Sequence, residues 1–287
     1  MSQNTKIPWA HHTWNIAGGC RKTSTGCEKC YALTFAHKLS QHDNPKISER
    51  WQGLTQVTRN GELRWTGKQV FFNNRLHDPQ EWKAPARVFV GAMTDIFYDL
   101  TFDQIDDIFY NMRPGYASRH KYLLLTKYPE RMLEWADSTN ARHYDIVGAS
   151  SNVWWGVSVE NQAAADKRIP LLLQMNSFLD NAPLNLWINA EPLLQSLDLS
   201  AYLQDQIKFV VAGAESGDNA RIMKDDWVRS IRNQCQSACV PFYFKQKCYN
   251  GKKIYDPVLD GMQHQEFPVD LLVPSDTPDM DNQLNLF

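Results

Sequence analysis

The chain has no apolar run approaching the length of a membrane span. Its opening, Met1-Ser2-Gln3-Asn4-Thr5-Lys6, lacks the apolar core of a secretory signal. The expectation is a soluble cytosolic protein without disulfides, where a cysteine cluster points to metal or catalysis. No segment carries the G-K-[ST] ending of a P-loop or the G-x-G-x-x-G spacing, which argues against nucleoside triphosphates. No Ser/His/Asp arrangement has a recognisable local motif, and no internal repeat is visible. Basic residues are missing from one region: from residue 254 onward there are seven acidic residues and no Lys or Arg. With 30 basic and 32 acidic residues in all, residues 1–253 therefore carry 30 basic against 25 acidic, a net of +5. That balance is compatible with a polyanionic substrate.

What the chain does have is a dense loop, Gly19-Cys20-Arg21-Lys22-Thr23-Ser24-Thr25-Gly26-Cys27-Glu28-Lys29-Cys30. Three of the six cysteines fall here in a C-x6-C-x2-C spacing, with glycines before the first two. Glycine permits the tight turns that bring three sulfurs to one place. Thiolates suit zinc, copper(I) or iron–sulfur clusters. A closed site needs four ligands and the loop supplies three. A [4Fe–4S] cluster held by Cys20, Cys27 and Cys30 leaves one iron open to a substrate or cofactor. The alternatives are a structural zinc completed by His11 or His12, and unliganded reduced thiols. Cys235, Cys239 and Cys248 are read as small, mostly buried thiols.

Strand-like and helix-like patterns alternate along residues 1–253. Strands are expected at residues 13–16, 70–73, 87–92, 122–126, 153–159, 184–189, 207–212 and 240–244. Helices are expected at residues 31–39, 102–112, from Pro129, at 162–175 broken or kinked at Pro170, from Pro192, and at 226–238. About eight such units fit an α/β fold of the (β/α)8 TIM-like barrel type, closed or open. Residues 40–68 read as a polar insertion whose Asn60-Gly61 marks a turn. Trp51, Trp65 and Trp82, in and around it, serve either to stack on a base or to pack.

In parallel barrels the site gathers at the carboxyl ends of the strands. Those ends hold Asn73, Arg75, Asp95, Lys127, Glu160, Asn161, Glu191, Glu215, Ser216 and Lys245. Three glutamates around one centre are costly unless they meet cations, hydroxyls or amines, and ion pairing with Lys127, Arg168 or Lys245 would also explain them.

Several motifs together resemble an uncharacterised family of phage and prophage proteins. They are Trp14-Asn15, the cysteine loop ending Cys30-Tyr31-Ala32, Val88-Phe-Val-Gly-Ala-Met-Thr-Asp-Ile-Phe97 and Leu125-Thr-Lys-Tyr-Pro-Glu-Arg131. Further on stand Gly156-Val-Ser-Val-Glu-Asn-Gln162, Glu191-Pro-Leu-Leu194, Gly213-Ala-Glu-Ser-Gly217 with Arg221, and Pro241-Phe-Tyr-Phe-Lys-Gln246. That family is similar to the radical S-adenosylmethionine (SAM) enzymes. The resemblance implies a [4Fe–4S] cluster on the three cysteines, SAM chelating the open iron, an electron donor as partner, and hydrogen abstraction by a 5′-deoxyadenosyl radical. Glu160, Glu191, Glu215 and Lys245 are then catalytic candidates; Asn73, Arg75, Asp95, Lys127, Asn161 and Ser216 are cofactor-binding candidates. The usual radical-SAM loop is C-x3-C-x2-C with an aromatic before the last cysteine. Here the first gap is six, Lys29 precedes Cys30, and the aromatic Tyr31 follows it.

Residues 254–287 read as an acidic extension, with a Pro-, Ser- and Asp-rich disordered linker over residues 273–282. Its last residues, Gln283-Leu284-Asn285-Leu286-Phe287, resemble the peptide by which bacterial DNA enzymes bind the β sliding clamp. Two leucines and a phenylalanine suit apolar pockets, and a flexible tether raises the local concentration near DNA. The implied substrate is a base or sugar in DNA, or a nucleoside.

Overall fold

The computed structural model describes residues 5–113, 115–138, 151–178, 183–204, 206–216, 219–249 and 252–276. Its strands in chain order are β1 (His12–Trp14), β2 (Ala17–Gly18), β3 (Thr55–Val57), β4 (Leu63–Trp65), β5 (Val70–Phe71), β6 (Arg87–Val90), β7 (Lys121–Thr126), β8 (Val153–Ser158), β9 (Asn185–Ala190), β10 (Ile207–Gly213), β11 (Phe242–Tyr249), β12 (Lys252–Tyr255), β13 (Val258–Leu259) and β14 (Met262–Gln263). The main sheet runs β1-β6-β7-β8-β9-β10-β11-β12. All its neighbours pair in parallel except β11 with β12. It curls through 245° and stops short of closure. The fold is thus an open, partial TIM-like barrel of seven parallel strands, edged by one antiparallel strand.

Residue alternation along the strands divides the apolar side chains into two layers. Phe89, Leu123, Trp154, Trp187, Phe209, Val211 and Tyr243 pack inside the curl, together with Trp9. Val88, Tyr122, Trp155, Ile188, Val210 and Phe242 face the helices outside. The inner rings stack closely: Trp9 lies 4.9 Å from Phe89 and 5.5 Å from Trp187. Gly156 makes room for this packing, since a Cβ there would meet Trp187 Nε1 at 2.3 Å. Aromatic side chains therefore fill the lower interior, and open space remains toward the carboxyl ends of the strands.

The helices are α1 (Tyr31–Ser40), α2 (Pro45–Trp51), α3 (Asp78–Glu81), α4 (Phe102–Met112), α5 (Pro129–Asp137), α6 (Gln162–Gln174) and α7 (Asp225–Ser237). Thr101 and Gln104 form a reciprocal capping box at the start of α4. Helix α6 runs unbroken through Pro170.

Two further expectations are corrected. Residues 70–73 do not supply a barrel strand: β5 pairs antiparallel with β2, and β1 pairs directly with β6. Pro192 starts no helix. The backbone N–H groups of Leu193 and Leu194 donate to Gly213 O and Glu160 O on neighbouring strand ends, while Leu193, Leu197, Leu199 and Leu203 bury as an irregular segment. The insertion is built on α2 and the β3–β4 hairpin, and packs on α1 through Trp51 and Leu54.

Residues 252–276 fold back on the barrel. Leu271 and Val273 are buried, and Arg87 pairs with Asp276 while lying 4.1 Å over the Phe267 ring. The linker expected from residue 273 is therefore packed as far as Asp276. Residues 277–287, including Gln283 and Phe287 of the clamp-like peptide, lie outside the described residues. Among the described residues no helix is long and apolar enough to cross a membrane.

Candidate active site at the carboxyl end of the barrel

The cysteine loop bridges β2 and α1 and lies over the strand ends. Gly19 adopts φ +94°, and a Cβ there would meet Lys68 O at 2.0 Å, so the turn requires glycine. Thr94 Oγ1 donates to Gly19 O at 2.5 Å, tying the loop entrance to the end of β6. The Arg221 guanidinium fastens the far side, donating to Thr25 O at 2.8 Å and to Glu28 Oε2 at 3.1 Å. Gly26 rests on Glu160, whose side-chain carbons would lie 3.2 Å from an added Cβ.

Beneath the loop is a cavity of about 590 Å³. Cys20, Cys27 and Cys30 line it, with Asp95, Lys127, Glu191, Glu215, Ser216 and Lys245 from the strand ends. Nine expected site residues thus meet at one cavity. Four others do not line it. Glu160 sits under the loop. Asn161 caps α6, its Oδ1 accepting from Ala164 N at 2.8 Å. Asn73 is exposed in a short turn, and Arg75 bonds Asp78 at 2.8 Å. These last two follow β5, which leaves the barrel, so its end is not part of the rim.

Each glutamate has a cationic partner. Glu160 pairs with Arg168 at 2.8 Å, both side chains buried. Glu191 accepts from Lys245 Nζ at 2.6 and 2.7 Å. Glu215 is clasped by Arg221 through its guanidinium and its backbone N–H. Asp95 is likewise occupied, accepting from Phe97 N, Thr126 Oγ1 and Lys127 N. The arrangement makes Glu160, Glu215 and Asp95 supports of the loop and rim. The Glu191–Lys245 pair faces the cavity directly.

Sequence reasoning missed Asn15 and Asn189, which stand in the strand runs themselves and were read as strand residues. Both line the cavity with Gln246, and all three carry a buried amide oxygen without a hydrogen-bond partner. Such orphaned acceptors cost free energy unless a ligand or water donates to them. The available signal was a polar amide inside an otherwise apolar strand. Of the tryptophans, Trp51 and Trp82 are buried packing residues, whereas Trp65 lines the cavity.

All three thiols line one cavity, and among the described residues no group of three His, Cys, Asp or Glu side chains is placed to hold a metal ion as it stands. The zinc alternative has no fourth ligand where it was expected. His11 accepts from Arg87 N and His12 stacks on Trp82, both at the amino-terminal end of β1. Burial pushes the Cys20 and Cys30 thiols up. Burial opposes ionisation of Cys27 too, but the Lys127 ammonium at 3.5 Å and backbone hydrogen bonds at Thr23 and Ser24 outweigh it and hold the thiol below its ordinary value.

A family model described as "Protein of unknown function (DUF5131)" matches residues 4–268. The chain belongs to the DUF5131 family. No curated protein and no solved structure matches it. In this DUF5131 chain the match spans the barrel, the cysteine loop and the folded-back segment up to residue 268.

Proposed function

We propose that this DUF5131 protein is an iron–sulfur enzyme that uses SAM on a nucleic-acid substrate. The observation that carries the reading is the set of three cysteines on one loop over a cavity lined also by the polar side chains of Asn15, Asn189 and Gln246. Cys20, Cys27 and Cys30 would hold a [4Fe–4S] cluster with one open iron. Bound there with SAM, the cluster supplies one-electron cleavage of the sulfonium and removal of a hydrogen atom from an unactivated carbon.

The chain's own residues do the rest. Lys127 offsets thiolate charge at Cys27. The Glu191–Lys245 pair presents a fixed dipole to the cavity, and the amide side chains of Asn15, Asn189 and Gln246 add polar groups to its lining. The aromatic plug of Trp9, Trp187 and Phe209 closes the interior below and excludes water.

Protein purified without oxygen should be brown and retain about four irons and four sulfides per chain after reconstitution. A colourless protein with one tightly bound zinc, unchanged by iron and sulfide, contradicts the proposal.

The nucleic-acid part rests on the net +5 of residues 1–253 and on the clamp-like Gln283-Leu-Asn-Leu-Phe287. Binding of the β sliding clamp through this peptide is part of the same proposal. Deleting residues 283–287 should abolish clamp capture in a pull-down and leave iron content unchanged. Undiminished capture by the truncated protein would contradict the clamp assignment.

A further inference from the structure

The sheet does not close, so its two edges, β1 and β12, face a seam. The cavity runs to that seam: Lys6, which precedes β1, and Lys253 and Tyr255 of β12 are among its lining residues. On the loop side it is lined by Arg21 and by Tyr31 and Phe35. Tyr31 and Phe35 are four apart on α1 and share a face. Large aromatic side chains normally bury, yet Tyr31, Phe35 and Tyr255 are 46%, 51% and 41% exposed.

Three cations stand among them. Among the described residues no carboxylate pairs with Lys6, Arg21 or Lys253. The carboxylates in the cavity are engaged, Glu191 by Lys245, Glu215 by Arg221 and Asp95 by its three donors. Arg21 lies 5.4 Å over the Tyr98 ring and Lys253 5.3 Å over the Tyr255 ring, so the opening interleaves cations that no carboxylate neutralises with exposed ring faces, a match for a strand of phosphates and unstacked bases. A paired duplex keeps its ring faces covered and offers these aromatics nothing to stack on.

We infer that the seam is the entrance for a single nucleic-acid strand, with Tyr31, Phe35 and Tyr255 stacking on bases and Lys6, Arg21 and Lys253 contacting phosphates. The inference rests on the nucleic-acid reading above and narrows it: the substrate nucleotide reaches the cavity unpaired, from a single strand or extruded from a duplex.

The test is fluorescence anisotropy of the full-length protein, kept anaerobic, with a short labelled DNA single strand, the matching blunt duplex, and polyglutamate of equal charge. The single strand should bind tighter than either of the others. Replacing Lys6, Arg21 and Lys253 together by Ala should flatten the dependence of log affinity on log salt by about 2. Replacing Phe35 and Tyr255 by Ala should weaken single-strand binding about tenfold or more and leave that slope unchanged. These positions are exposed, so circular dichroism of both variants should match the parent. Equal binding of duplex or polyglutamate, or variants that bind like the parent, would overturn the inference. Cleavage of SAM by the unaltered protein is read separately. If SAM is cleaved but the strand is not bound, the seam assignment alone falls; if the strand binds but SAM stays intact, only the catalytic reading does.

Discussion

Cys27→Ala should leave a folded protein that no longer retains its cluster. Iron content should fall from about four per chain to near zero, and any SAM-dependent activity should disappear with it. The fold should survive. The loop is held independently by Thr94 on Gly19, by Arg221 on Thr25 and by the contact of Gly26 with Glu160. Circular dichroism and iron analysis of the same sample separate these statements. Retention of iron by the alanine variant, at parental stoichiometry, would remove Cys27 from the ligand set.

The second large effect is on stability. Arg168→Met should destabilise the protein by up to about 3–5 kcal/mol at neutral pH, because it removes the ion-pair partner of the buried Glu160 carboxylate and leaves Lys127 as its remaining counter-charge. Arg168 also donates to Ser158 O at 2.7 Å, so a second buried acceptor loses its partner. The pH dependence follows from the sign of the Glu160 shift. Burial alone would raise this carboxyl, but Lys127 and then Arg168 hold it below its ordinary 4.5. A depressed carboxyl contributes stability that is complete above the unfolded value and is lost as pH falls through the folded one. Urea midpoints should therefore differ most between parent and Arg168→Met at pH 7 and converge below about pH 4. Adding Glu160→Gln to Arg168→Met should recover much of the loss at neutral pH. A constant difference across pH would show that lost packing, and not charge, sets the cost.

Much of this architecture was legible because its signals are local. The runs at residues 122–126 and 153–159 are β-branched, aromatic and short, and the structure extends strands through both. The apolar spacing of residues 102–112 gives α4 with the expected bounds. The cysteine spacing marked a loop, and in the structure Cys20, Cys27 and Cys30 line one cavity behind the tight turn at Gly19. The failures arose where partners distant in sequence decide. Val70–Phe71 has the composition of a barrel strand, but its hydrogen bonds go to Ala17 and Gly18, and Asn73 and Arg75 leave the rim with it. The leucines after Pro192 are spaced like a helix, yet strand ends at Glu160 and Gly213 take the backbone bonds of Leu193 and Leu194.

The candidate site was half legible for the same reason. Strand-end position identified Lys127, Glu191, Glu215 and Lys245, but not which of them would be neutralised. Arg168 and Arg221 reach their glutamates from an adjoining helix and loop. Asn15 and Asn189 were hidden because one directly follows β1 and the other lies within β9, inside apolar runs, and both line the cavity.

The most direct test of the central claim is to supply SAM and a chemical reductant to the reconstituted protein and count the products. The account predicts 5′-deoxyadenosine and methionine in equal amounts, and neither from Cys27→Ala under the same conditions. A cluster-loaded protein that leaves SAM intact, and shows no affinity for it, would contradict the account.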